Sequence, residues 1–73
     1  MTGDGLVARR VLLDAKQVAF FKGVLEAMDG LAQVFAEQGG DLTVAGPVSR
    51  EAEIDEVVRE LASELGGHVL DGG

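Results

Sequence analysis

Side chains that most often carry out covalent chemistry are sparse in this sequence. It holds one histidine, His68, two serines, Ser49 and Ser63, and no cysteine. A catalytic nucleophile needs a base within hydrogen-bond reach and a third group that orients the base, and Ser49 is already placed to cap a helix. A single histidine without cysteine also cannot build a zinc site. The sequence therefore predicts no enzyme, no catalytic residue, no cofactor and no metal.

Carboxylates recur at helical spacing in the second half of the chain, at Glu53, Glu56, Glu60 and Glu64. Residues three or four apart lie on one side of a helix, where neighbouring carboxylates can bind a hard cation. Calcium and magnesium sites usually draw oxygens from loops as well, and the sequence has no loop of the EF-hand type. We therefore interpret the four glutamates as a solvated helix face.

Three glycine pairs invite a functional interpretation. Gly39-Gly40 and Gly66-Gly67 lack the strand, spacing and helix of a phosphate loop, so they are interpreted as a turn and a helix stop. Gly72-Gly73 resembles the end of ubiquitin-like sulfur carriers, in which two thin residues enter an activating enzyme. Those domains begin with a β-hairpin, whereas this chain passes from its first strand into a helix. A flexible tail is favoured, and the sulfur carrier is an alternative.

The net charge and the length of the chain limit the classes of partner that it is expected to bind. The chain has 73 residues, with 13 acidic and six basic side chains and a net charge of −7. This excess disfavours nucleic acid and anionic membranes, which attract clustered lysine and arginine. No uncharged stretch approaches the roughly 20 residues of a membrane span, and no signal peptide is evident, so a cytoplasmic location is expected. Such a short chain buries only about 60% of its unfolded surface, which predicts a homodimer or higher homo-oligomer, or a protein partner.

Residues 14–30 are predicted to form the central helix. Asp14 can cap the first turn while Gln17 reaches back to the Asp14 amide, which makes a capping box. Gly30 stands where helices end in a left-handed residue. Gly23 interrupts the helix and predicts a close backbone approach. The apolar stripe towards the core consists of Val18, Phe21, Leu25 and Met28, widened by Phe20, Val24 and Ala27.

Apolar alternation and turn residues predict strands at residues 6–13, 31–38, 42–45 and 68–70. Gly46 and Pro47 are expected to end the third strand. Ser49 is expected to cap a second helix, in which Asp55 pairs with Arg59 and which ends at Gly66-Gly67. The buried stripe of this helix consists of Ile54, Val57, Val58, Leu61 and Leu65.

This order of elements predicts an α+β fold of the ferredoxin-like (ACT-like) βαββα(β) class, a two-layer sandwich with two helices on one face of an antiparallel sheet. Residues 6–70 would form this single domain. Residues 1–5 are expected to be a disordered leader, and residues 71–73 a flexible tail.

One face of the predicted sheet is left without a helix. Val11 and Leu13 are expected on the covered side, with Arg9 close enough to the strand start to reach water. Phe35 is expected on the uncovered side. The alternative, in which the two faces of the strand are exchanged and Phe35 packs in the core, is rated about equal. The candidate self-association face consists of Arg10, Leu12, Leu31, Gln33, Phe35 and Thr43.

The stretch KQVAFFKGVLEAMDGLAQVFAEQGGDLTVAGP resembles a small bacterial family of uncharacterised proteins, DUF4911. The resemblance is carried by Phe21-Lys22, Leu25-Glu26-Ala27 and Asp29-Gly30-Leu31, and it implies no activity. The order of elements is also similar to the ACT-type regulatory domain, which is often dimeric and often binds amino acids. This chain departs from the ACT pattern at the Leu13-Asp14 junction, where ACT domains have a glycine-containing ligand loop.

Three functions follow as expectations. The leading one is a small non-enzymatic cytoplasmic domain that self-associates and acts as an interaction or regulatory module. The alternatives are an ACT-like sensor that binds a small metabolite in a dimer groove, and a ubiquitin-like sulfur carrier that uses its C-terminal Gly-Gly.

Overall fold

A computed structural model describes residues 5–70 of the chain. The strands are β1 (Leu6–Leu12), β2 (Gln33–Gln38), β3 (Asp41–Pro47) and β4 (His68–Leu70), and the helices are α1 (Val18–Glu26) and α2 (Glu51–Glu64). The strands form one antiparallel sheet in the order β2-β3-β1-β4. The predicted α+β class is confirmed, and the fold is compatible with a ferredoxin-like class. Residues 1–4 of the predicted leader and the predicted tail at residues 71–73 lie outside the described residues.

The core lies between the two helices and one face of the sheet. Val11 of β1 is opposite Leu42 of β3, and Val44 is opposite Val34 of β2, so these side chains share one face. The predicted burial of Val11 and Leu13 is confirmed. The buried cluster consists of Val11, Leu13, Phe21, Leu25, Leu31, Ala32, Val34, Leu42, Val44, Ile54, Val58 and Ala62.

The first helix is shorter than the sequence predicts. Asp14 caps a 3₁₀ turn, Ala15–Gln17, by accepting from the Lys16 backbone N–H at 3.3 Å, and α1 begins only at Val18. The predicted Asp14 cap is confirmed, whereas the second half of the predicted capping box is wrong, because among the described residues no hydrogen bond joins the Gln17 side chain to the Asp14 amide. The helix ends at Glu26, and the chain reverses through Asp29 and Gly30, whose φ angles are 49° and 79°. A positive φ is adopted most easily by glycine, which explains Gly30.

The close backbone approach predicted at Gly23 is wrong, because a Cβ atom there would meet nothing within 4 Å. The tight contact lies instead at Gly40, where a Cβ atom would stand 1.6 Å from the Leu13 carbonyl oxygen. The Leu13 backbone N–H donates to the Gly40 carbonyl at 2.8 Å. The β2–β3 turn is therefore held against the end of β1, and only glycine fits at this contact.

Strand β3 continues through Gly46 and Pro47, so the prediction that these residues end it is wrong. Gly46 is opposite Val7, and Pro47 is opposite Leu6. Proline is tolerated at the strand end, where its missing N–H breaks no interior rung of the ladder. A Cβ atom on Gly46 would stand 2.6 Å from the Ile54 side chain, so glycine allows α2 to pack closely there.

The second helix begins at Glu51, after a 3₁₀ turn at Val48–Arg50. Ser49 lies within that turn, and neither this turn nor α2 has a side-chain cap, so the predicted Ser49 cap is wrong. Glu51 and Glu53 lie in the first turn, where the helix dipole favours negative charge. The predicted final strand at residues 68–70 is confirmed as β4.

Candidate functional site

The open face is the side of the sheet that carries no helix. Along β1, Ala8, Arg10 and Leu12 alternate with the residues that point towards the helices. The strand register places Arg10 opposite Thr43 of β3 on one side and opposite Leu70 of β4 on the other. Thr43 is in turn opposite Phe35 of β2. A row of four side chains, one from each strand, therefore crosses the middle of the open face.

Large apolar side chains on the open face are exposed to solvent. Leu6 is 74% exposed, Phe35 50%, Leu12 39% and Leu70 37%. A hollow of about 340 Å³ lies at the Leu6 end of the face, and its lining includes Leu6, Gln33, Phe35, Ala45 and Pro47. Clustered apolar side chains in water are a common sign of an interaction surface.

The charged side chains of the open face are largely paired with one another. Arg10 binds the Asp41 carboxylate, and this hydrogen bond, with the charge of Asp41, raises the pKa of Arg10. The Thr43 hydroxyl donates to Glu37 at 3.5 Å. The second Asp41 carboxylate oxygen is buried and has no hydrogen-bond partner. The face thus presents apolar side chains around a neutral ion pair.

The structure brings most of the predicted face together and removes one member. Arg10, Leu12, Gln33, Phe35 and Thr43 all lie on the open face. Leu31 does not, because it is 1% exposed and belongs to the core cluster. Strand β2 begins only at Gln33, so the two-residue alternation does not extend back to Leu31.

The interpretation that buries Phe35 in the core is wrong, since half of this residue is exposed. Sequence reasoning missed two large apolar members of the face, Leu6 and Leu70. Leu6 continues the alternation of Ala8 and Arg10 back to the strand start, so the signal was present in the sequence. Leu70 joins the face only through the pairing of β4 with β1, which no local pattern reports.

On the covered side, Arg9 ties β1 to α2. Its guanidinium donates to Asp55 at 2.8 Å and to Glu51 at 2.6 Å. Both hydrogen bonds raise the pKa of Arg9, and the one to Asp55 has the larger effect. The predicted pair of Asp55 with Arg59 is therefore wrong, because the carboxylate of Asp55 is occupied by an arginine from β1.

The acidic residues of α2 do not form a metal site in the part of the chain that the structure describes. Within residues 5–70 no three histidine, cysteine or acidic side chains are placed to hold one ion. Glu53 accepts two hydrogen bonds from Arg50, at 2.9 and 3.1 Å. Lys22 and Glu26 lie 4.0 Å apart as a surface pair. The only histidine, His68, is opposite Leu12 in the sheet register and is exposed.

No helix among the described residues is long and apolar enough to cross a membrane. Gly72-Gly73, the feature behind the sulfur-carrier alternative, lies outside the described residues. Comparison of the chain with family models, with curated proteins and with solved structures found no significant match.

Proposed function

We propose that this chain is a non-enzymatic interaction or regulatory module that pairs with a second copy of itself through the open face. The observation that carries the proposal is the exposure of four large apolar side chains on a sheet face that no described element covers. These side chains are Leu6, Leu12, Phe35 and Leu70. Covering them removes apolar surface from water, which is the main favourable term in association.

The size of the open face indicates a weak pair. The four strands have seven, six, seven and three residues, and at about 3.3 Å per residue and about 4.8 Å between strands they give the open face an area of about 360 Å². A pair then buries on the order of 700 Å², below the roughly 1,200 Å² at which stable specific interfaces begin. We expect a dimer that dissociates at micromolar concentrations.

Charge also favours the open face over the helix side as the place where two copies meet. A two-fold contact sets a surface against its own copy, so a strongly charged surface repels itself. Helix α2 carries six carboxylates and one arginine. The open face carries the Arg10–Asp41 pair and Glu37. It is thus the more nearly neutral of the two sides of a chain whose net charge is −7.

Two half-exposed phenylalanines allow a matched test. Phe35 is 50% exposed on the open face, and Phe20 is 56% exposed on α1. The full chain and its Phe35→Asp and Phe20→Asp variants are analysed by sedimentation at roughly 1 to 500 μM, a range that brackets micromolar affinity. We expect the wild type and Phe20→Asp to reach the dimer mass. Phe35→Asp should stay monomeric, with an unchanged circular dichroism spectrum.

A wild-type chain that stays monomeric over this range contradicts the proposal. So does a Phe20→Asp variant that loses the dimer as completely as Phe35→Asp, because the contact would then lie on the helices. Both outcomes are read from sedimentation, and the circular dichroism spectrum separates loss of pairing from loss of folding.

For the finer fold, we infer a ferredoxin-like βαββαβ sandwich, supported by the order of elements and the antiparallel sheet. The ACT-like sensor is the less favoured function, because Leu13 donates to the Gly40 carbonyl where an ACT domain has its ligand loop. Stabilisation by an amino acid in a thermal-shift screen would favour the sensor instead. The DUF4911 resemblance and the sulfur-carrier alternative stay predictions.

A further inference from the structure

The two helices leave an apolar groove between them on the side opposite the open face. The groove has a volume of about 230 Å³, enough for one or two aliphatic side chains. We call it the helix groove, and its lining residues are Val24 of α1, Met28 just after the end of α1, and Val57, Glu60, Leu61 and Glu64 of α2.

The groove exists because the helices pack on different parts of the sheet. Helix α1 contacts mainly β2, whereas α2 contacts β4 and β3. Met28 follows the end of α1 and is 38% exposed, although the sequence predicts it in the core stripe. Phe20, which is 56% exposed, lies one helical turn before Val24, on the same side of α1.

The α2 wall of the groove is negatively charged. Glu60 and Glu64 are exposed, and neither makes an ion pair among residues 5–70. The carboxylates nearer the start of α2 behave differently, since Arg9 binds Glu51 and Asp55. The apolar floor of the groove is thus bordered by acidic groups that no arginine or lysine of the described chain neutralises.

We propose that the helix groove binds a basic amphipathic segment of a partner protein. Aliphatic side chains of the segment fill the space beside Met28 and Leu61, and its lysines or arginines face Glu60 and Glu64. Helix-in-groove recognition works in this way, with apolar anchors at spacings of three and four residues. A two-fold pair through the groove is disfavoured, because the second copy's α2 would bring six more carboxylates to the same place.

The test uses the full chain and a designed probe, a fluorescein-labelled Leu/Lys peptide of about 18 residues, or five helical turns. Its leucines recur at helical spacing on one face. Two comparison peptides keep the length, one with glutamate in place of lysine and one with the leucines scrambled so that no apolar face forms. Binding is measured by fluorescence anisotropy at low and high salt.

Charge reversal at two glutamates gives the matched variants. Glu60→Lys changes the groove wall, and Glu37→Lys makes the same change of net charge on the open face. We expect the Leu/Lys peptide to bind, more weakly at high salt, and Glu60→Lys to weaken binding at least about 5-fold. Glu37→Lys and Phe35→Asp should change the affinity less than about 2-fold, and the glutamate and scrambled peptides should not bind.

Three results would overturn the assignment. One is equal weakening by Glu37→Lys and Glu60→Lys, which would indicate attraction by net charge alone. The second is equal binding of the scrambled peptide, and the third is no binding up to roughly millimolar protein. The outcome is independent of self-association, because Phe35 lies outside the helix groove, and the Phe35→Asp variant is expected to bind the peptide whether or not it pairs with a second copy.

Discussion

Gly23 lies in the interior of α1 and is exposed to solvent, and its replacement by alanine should stabilise the fold. Glycine is costly within a helix because it loses more backbone freedom on folding than other residues. A new Cβ atom at Gly23 would meet nothing within 4 Å, so the substitution brings no clash that opposes this gain.

The expected gain follows from helix propensity. Alanine is favoured over glycine by roughly 0.5 to 1 kcal/mol in a helix interior. With an entropy of unfolding of about 2.1 cal/mol/K per residue, a chain of 73 residues gains about 6 °C in Tm for each kcal/mol. We therefore expect Gly23→Ala to raise Tm by roughly 3 to 6 °C.

The assay is thermal and urea unfolding followed by circular dichroism, at one fixed protein concentration because self-association would shift Tm. Gly40→Ala is the contrasting variant, since its Cβ atom would stand 1.6 Å from the Leu13 carbonyl oxygen. A backbone atom cannot rotate away as a side chain can, so we expect a loss of about 3 kcal/mol or more. A lower Tm for Gly23→Ala, or an unchanged Tm for Gly40→Ala, would refute the placement of the close contact.

Two further predictions concern the arginines. Arg9→Met should lower the free energy of unfolding by about 1 kcal/mol, because it removes two partly exposed ion pairs, and high salt should reduce the loss. Arg59 makes no ion pair among the described residues, so Arg59→Met should leave the free energy of unfolding in urea nearly unchanged. If Arg9→Met and Arg59→Met lowered it equally, the ion pairs of Arg9 would not stabilise the contact between β1 and α2. The hydrogen bonds from Arg50 lower the pKa of Glu53. The ionised Glu53 should therefore stabilise the fold fully above its unfolded pKa of about 4.3. This stabilisation should be lost as the pH falls through the lower pKa of the folded state. An NMR titration in which Arg50→Gln leaves the Glu53 pKa in place would contradict this cause.

The covered and uncovered sides of β1 were accessible from the sequence. Successive strand residues point to opposite faces, so Val11 on one side requires Arg10 and Leu12 on the other. The same rule puts Phe35 and Val34 on opposite faces of β2, but it leaves open which of these faces the helices cover. These assignments need only the local period of two, which is why the open face could be outlined before its neighbours were known.

The exceptions depend on where elements begin. Leu31 fits the alternation of β2, but the strand starts at Gln33 and Leu31 enters the core. Met28 fits the helical stripe, but α1 ends at Glu26 and Met28 stays 38% exposed. A period gives the direction of a side chain only inside its element, and the ends are set by caps and turns.

The sequence by itself determined the order of strands and helices and the side of β1 that meets the core, because both follow from spacings of two to four residues. Only the tertiary structure decided that Arg9 binds Asp55, that Gly40 touches Leu13, and that the helices leave a groove. Each of these depends on distances between elements far apart in the chain. No local period encodes such distances, because they are fixed only when the helices pack on the sheet.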